Sequence, residues 1–535
     1  MTDTQTPKTE VGAAVSAIEG GVDAIVIGAT IDGLAAAAYL GKAGLTTVLL
    51  EAGATPGGVV REREFAPGFR CVDGEHLIFA LDPDLVAELD LYRFGLAYAN
   101  RRLDTVYFFE DGPSLRLDGE PFRWKESVAK AGVEDTDAFG EIVDDLLQTA
   151  NLMRTHLKLS AKPGARGGDA LISQFFSGAP SDAAALVERF AIAPVDDVLD
   201  AALADERLKA LLTAEASLRA AAAPYEAFSF LALAYGLTGE VAGLQGARAY
   251  PEGGAVAVAD ALRRAAQAAG VDFRASASVK SVIVEWDGVA GVELSGGAQI
   301  RAPVVVNALE ARRAFIDHIG LGKLDIEFQQ ALAAPAQNIA SARLHLALKG
   351  APADRRTERN LMRRLVFAPS RAALRKAYHA ARSGDAAAPL IIEAVFPGAF
   401  DKTAASANGQ VISVIAHPVS FDPQPSQAAR KSIEEAIVAS LEVMAPEIST
   451  RIKAADLRLP VDLAADLDAD PAAYAARPVI LDQWARAQLL VQAGGVERYY
   501  FCGPEAQIGA GISGTTGRFA AKAAIEASRK RSGFL

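Results

Sequence analysis

A chain of 535 residues is too long for one compact core, so two or more domains are expected. Its formal net charge of −12 argues against a nucleic-acid partner, because gripping a phosphate backbone calls for a basic patch. Only two cysteines occur, Cys71 and Cys502, without C-x-x-C spacing, which disfavours a disulfide scaffold or thiolate metal site and fits a reducing compartment.

Residues 1–21 read as a flexible tail, since they lack the basic start and apolar run of a signal peptide. Val22 to Ile27 is a short apolar run of the kind that forms a buried parallel strand. A glycine turn follows at 28–33, then "LAAAAYLGKAG" as a helix closed by Gly44, then "LTTVLLE" as a second strand ending in Glu51. From 80 to about 245 the pattern is mostly helical, with "KPGARGGD" (162–169) as an exposed loop. Within it "APYEAFSFLALAYGL" (223–237) is the most apolar stretch, too short to span a bilayer and read as a buried helix. The expectation is therefore a soluble cytoplasmic protein, with peripheral membrane contact and homo- or hetero-oligomerisation left open.

Further on, "GGAVAVADALRRAAQAAG" (253–270) reads as a helix, and the β-branched alternation after it as a strand meander turning at Asp287-Gly288 and Gly296-Gly297. Between about 330 and 475, strand-like runs ("SARLHLALKG", "APLIIEAVFP", "GQVISVIAHP") alternate with helical ones, which suggests a second sheet. The acidic run "DLAADLDADPAAY" (462–474) lacks the glycine and distal Glu of a calcium loop and reads as a solvated loop. The C-terminal "RYYFCGPEAQIGAGISGTTGRFAAKAAIEAS" is again strand, glycine loop, helix.

The first turn carries the chemistry. Its slots hold Gly28, Thr30 and Gly33 where a dinucleotide-binding turn has three glycines, and the helix starting there offers unpaired N–H groups to a pyrophosphate. Glu51 stands 18 residues after Gly33, where a carboxylate accepts from ribose hydroxyls and disfavours a 2′-phosphate. The six histidines show no metal-ligand spacing and no G-x-S-x-G elbow occurs, so neither a metal centre nor a serine nucleophile is expected.

From Glu51, "EAGATPGG" places Gly57-Gly58 at a spacing that resembles FAD-binding oxidoreductases of the glutathione-reductase-like superfamily. Together with "YPEGGAVAVADAL", "VVVNA" and "YYFCGPEAQIGAGISGTTG", the chain resembles the phytoene desaturase-like family from about 22 to 530. That resemblance implies an α/β fold: a discontinuous Rossmann-type FAD-binding domain (22–80, 246–330 and 476–535) and a mixed α+β substrate domain (81–245 and 331–475). It further implies that Gly28, Thr30 and Gly33 line the pyrophosphate turn, Glu51 binds ribose, Gly57 and Gly58 pass close to FAD, and Val279 meets adenine through its backbone. Gly503 and Glu505 would approach the ribityl-pyrophosphate region, and Gly509, Gly511 and Ile512 the isoalloxazine. The implied activity is hydride removal from an apolar, isoprenoid or polyene (carotenoid-like) small-molecule substrate, with Tyr225, Phe228 and Phe230 walling its cavity. Two other readings stay open: a flavin-poor binding or partner subunit, motivated by Thr30 and the altered loop "PEAQIGA", and an amine oxidase-like flavoenzyme.

Overall fold

The computed structural model describes residues 21–159, 193–332, 338–350, 360–405, 409–476 and 495–532, apart from positions 219, 221, 228, 387 and 508. The N-terminal tail, the "KPGARGGD" loop and Phe228 lie outside the described residues.

The apolar runs Ala24–Ile27, Thr47–Leu50 and Val304–Asn307 are buried at every position. With both faces covered, alternation would leave polar side chains without water, so continuous apolar runs are what such strands require. They join Asp272–Arg274 and Tyr499–Phe501 in one five-stranded parallel sheet. Its spatial order is 272–274, 47–50, 24–27, 304–307, 499–501, so the chain winds outward in both directions from Ala24–Ile27. The reversal between the first strand and Val304–Asn307 opens a crevice beyond their carboxyl ends, the place where doubly wound sheets bind ligands.

Helix Ile31–Lys42 covers one face, packed against helices Val256–Ala268 and Thr515–Ser532. Its run of alanines lets backbones approach closely: a Cβ on Gly517 would lie 1.9 Å from the Asp32 carbonyl oxygen. The meander expected after Gly270 divides in two. Val279–Glu285, Gly288–Leu294 and Gln299–Arg301 form their own antiparallel sheet, while Asp272–Arg274 and Val304–Asn307 belong to the parallel one.

A second, seven-stranded sheet has the order 452–458, 339–348, 410–420, 391–395, 364–367, 105–108, 115–117. All neighbours are antiparallel except 105–108 with 364–367. Helix Gln427–Met444 buries Ile433, Ile437 and Leu441 on one face, and helices between 124 and 235 pack on the other. Helix Ser229–Tyr235, inside the apolar stretch 223–237, is buried throughout.

One sequence expectation needs refinement and another correction. The described part of 80–245 is mostly helical, as expected, but it also holds strands Tyr98–Asn100, Thr105–Phe108 and Leu115–Leu117. These are too short to show a period, and Thr105–Phe108 takes its register from Arg364–Phe367, more than 250 residues away. The run 462–474 is not a loop but helix Pro460–Leu467 followed by the turn Pro471–Tyr474. Pro460 occupies the first helical turn, and the Asp462 carboxylate accepts from the Leu459 N–H at 2.8 Å while pairing with Arg430 at 2.9 Å. Among the described residues no helix is long and apolar enough to cross a membrane.

Candidate cofactor site

A cavity of about 290 Å³ lies over the crevice of the parallel sheet. Of the residues singled out from sequence, Gly28, Thr30, Glu51, Gly57, Gly58, Val279, Gly509, Gly511 and Ile512 line it.

At the turn, Gly28 has φ +91°, and a Cβ there would lie 2.6 Å from Leu309. Gly33 lies outside the lining and acts in packing: a Cβ on it would meet the Gly28 carbonyl oxygen at 1.9 Å, pushing helix off strand. Thr30 is the N-cap of helix Ile31–Lys42, and its hydroxyl accepts from the Gly33 N–H at 3.1 Å. Its methyl group faces Gly58, where a Cβ would come within 3.3 Å. The second position of the double glycine thus makes room for the branched residue in the first turn. The hydroxyl is already used as a cap, so Thr30→Gly costs only a few tenths of a kcal/mol of helix stability. Removing the methyl group should tighten FAD binding in an apoprotein titration; unchanged or weaker binding would show that the turn needs its cap more than the space.

The Glu51 carboxylate accepts from the Ala29 N–H at 2.7 Å and the Gly53 N–H at 2.8 Å. Each oxygen keeps a lone pair, as a ribose diol would require, so one side chain braces the turn and faces the cavity beside Ala277, Ser278 and Val279. Charge-assisted bonds of this kind contribute about 1.5–3 kcal/mol each. Glu51→Ala should therefore weaken FAD retention by about tenfold or more and also lower the urea midpoint of the apoprotein. A wild-type flavin content and midpoint in the variant would show that neither set of bonds matters.

Asp32, which the motif reading passed over, also lines the cavity. Its carboxylate accepts from the Thr516 hydroxyl at 2.7 Å and the Gly517 N–H at 3.0 Å, tying together the N-termini of the first and last helices. Burial raises its pKa, and those two bonds oppose the rise. Two helix starts thus point their positive ends at one crevice, a setting that favours a pyrophosphate.

At the C-terminal side, Cys502, Pro504 and Gln507 join the lining, but Gly503 and Glu505 do not. A Cβ on Gly503 would strike the Leu309 carbonyl oxygen at 1.9 Å, and Glu505 accepts from the Ala311 N–H at 3.0 Å. Both act from behind the lining, on segment 309–311, of which Leu309 and Glu310 face the cavity. The remaining wall includes Gly74, Glu75, Arg313, Arg343 and Tyr474. Arg343 donates to the Gly74 carbonyl at 2.7 Å and stands 3.7 Å from Glu75.

Behind that wall Cys71, Asp73 and His345 bring sulfur, oxygen and nitrogen within 4.8 Å of one another. Arg61, Arg63 and Arg458 stand 3.9, 2.9 and 3.9 Å from the same Asp73 carboxylate, and this positive charge opposes a divalent cation. Burial also pushes the Cys71 thiol up to about 12, against the pull of Arg63. The cluster is therefore assigned no metal.

The glycine cradle, paired helix N-termini and bridging carboxylate fit the adenosine diphosphate half of FAD. Residues 32–362 match the family described as flavin-containing amine oxidoreductase. The chain belongs to that family. Its cofactor is FAD, and the protein is an FAD-dependent oxidoreductase of the amine oxidoreductase family. Among curated proteins it is similar to rat pyridine nucleotide-disulfide oxidoreductase domain-containing protein 2, 26% identical over 548 residues that cover 93% of this chain and 92% of the relative. Among solved structures, an oxidoreductase from Methanosarcina mazei shares the fold at TM-score 0.59 and 15% identity, covering 94% of this chain and 100% of that one. Cyclohexylamine oxidase from Brevibacterium oxydans does so at TM-score 0.57 and 17% identity, covering 95% and 100%. Membership of the amine oxidoreductase family leaves the flavin-poor reading without support.

Proposed function

We propose that the protein dehydrogenates a long, apolar substrate, as its resemblance to phytoene desaturases implies. We further propose that segments 22–80, 246–330 and 476–535 form the FAD unit and that 81–245 with 331–475 form the substrate unit. The observation that carries the first reading is the apolar core helix packed against the cofactor loop. Helix Ser229–Tyr235 presents Phe230, Leu231, Leu233 and Tyr235, all buried, and Tyr235 reaches the loop at Gly509. Arg248, which approaches the end of this helix at Gly236, belongs to a buried cluster with Glu215, Arg364 and Glu393 whose members pair with one another, so they are engaged before any charged substrate arrives. Bound FAD supplies the hydride acceptor. The chain's own residues orient the substrate and keep water out.

Amine oxidation is the second reading, favoured by the match over 32–362 and by Glu75 and Glu310 in the cavity wall, which could face an ammonium group. Anaerobic mixing of the FAD-loaded protein with polyene or isoprenoid hydrocarbons, and separately with primary amines, discriminates the two. Bleaching of the flavin absorbance by the hydrocarbons is expected. Bleaching by the amines alone would overturn the apolar reading in favour of the second.

A further inference from the structure

The loop that lines the flavin end of the cavity, 507–513, contains two glycines whose missing side chains have a visible cause. A Cβ on Gly509 would lie 2.3 Å from the ring of Tyr235, and one on Gly511 would lie 2.8 Å from the ring of Phe79. Both rings come from outside the parallel sheet, Tyr235 from the end of helix Ser229–Tyr235 and Phe79 from the segment after the Gly74–Glu75 wall. The Tyr235 hydroxyl donates to the Ala510 carbonyl at 3.1 Å, between the two glycines, and the Gln507 side-chain amide donates to the Gly511 carbonyl at 2.7 Å. The loop's inner face lines the cavity, and its outer face rests on these rings.

We propose that Tyr235 is a positioning residue for the flavin: its hydroxyl and ring set the height and tilt of the 509–512 backbone against the cofactor. This rests on the assignment of the cavity to FAD. Burial is what makes the contact firm. The Tyr235 side chain is enclosed, its phenol is pushed up to about 12 by desolvation, and it is therefore a protonated donor at any ordinary pH. A single hydrogen bond from a rigid ring to a loop carbonyl selects one backbone orientation among those that glycines permit. Because helix Ser229–Tyr235 also forms the proposed substrate wall, the same side chain links substrate packing to the flavin environment. Phe79 is held in turn by the Arg248 guanidinium, 5.8 Å above its ring, and Arg248 pairs with Glu215 at 2.6 Å.

Tyr235→Phe keeps the ring and removes only the hydroxyl. Titration of the apoprotein with FAD should show binding about fivefold weaker, the equivalent of one neutral hydrogen bond, with a shifted visible absorption band for the bound flavin. Tyr378→Phe is the control. Tyr378 is also buried and donates to a backbone carbonyl, that of Ala222 at 3.2 Å, but its hydroxyl's partners, Ala222 and His417, both lie away from the cavity-lining loop. It should lose comparable stability while leaving FAD affinity and spectrum unchanged. Wild-type affinity and spectrum in Tyr235→Phe, or equal changes in both variants, would overturn the proposal. A wild-type protein that takes up no FAD would overturn the cavity assignment itself, and the proposal with it.

Discussion

Arg364→Met is expected to destabilise the folded protein by about 3–5 kcal/mol, read as a shift in the urea unfolding transition. Arg364 is fully buried and lies between two carboxylates, pairing with Glu215 and with Glu393. Glu215 also accepts from Arg248 at 2.6 Å and from the Tyr107 hydroxyl at 2.7 Å. Burial alone would raise the Glu215 carboxyl, but Arg248 and Arg364 outweigh it and hold the group at about 2. Methionine replaces the length of the side chain and none of its charge, so Glu215 is left with Arg248 as its one arginine partner and Glu393 with only the His76 imidazole at 2.9 Å. The cost comes from what is left behind, not from the pair itself. Arg364→Met combined with Glu393→Gln, which leaves Glu215 with Arg248, should therefore recover much of the loss. A single variant within about 1 kcal/mol of wild type would mean that water reaches the cluster and the charges are not truly buried.

What the sequence made legible was local. The strand, glycine turn, helix and acid of 22–51 are set by neighbours within about 30 residues, so apolar runs and glycines announce them. Thr30 looked like a defect for the same reason, since its compensation sits at Gly58, across the turn. The positions that escaped are those decided by distant chain. Arg343 and His345 alternate along strand Ile339–Leu348, which tells that they share a face but not that Gly74 and Asp73 stand opposite. Tyr474 reaches the cavity because Pro471–Tyr474 turns back after helix Pro460–Leu467, in a stretch whose acids had suggested only solvent. Gly503 and Glu505 matched a motif by spacing, yet the structure turns both toward 309–311. Gly509 and Gly511 were legible as glycines needing close approach, though what approaches them from behind is protein as well as cavity.

The same distinction governs the response to acid. His318 follows the strand that borders the crevice, and its Nδ1 faces the Asn307 side-chain amide at 3.1 Å. That amide donates also to the Tyr499 hydroxyl at 2.9 Å, and the Asn307 Oδ1 accepts from the Leu309 N–H at 3.0 Å, so the amide's orientation is fixed by its neighbours. Nδ1 is therefore an acceptor, leaving Nε2–H to donate to the carbonyl of the cavity-lining Val279. Adding a proton at Nδ1 would set two donors face to face. Burial, reinforced by the Arg313 charge and only partly opposed by Asp317 and that carbonyl, holds the imidazole down at about 4. A base whose folded pKa lies below its unfolded value of about 6.5 contributes stability that is fully present above 6.5 and is lost as pH falls toward 4. The drop amounts to about 3 kcal/mol at pH 4, since each tenfold step is worth about 1.4 kcal/mol. His345 is held down in the same direction by burial and then by Arg63, so it steepens the loss over the same window. Urea midpoints measured from pH 7 to pH 4 should fall steeply below 6.5 in the wild type. In His318→Gln, which retains an acceptor and a donor without titrating, the slope should shrink by nearly one proton. An undiminished slope in that variant would place the acid sensitivity elsewhere and show that His318 titrates as freely in the folded chain as in the unfolded one.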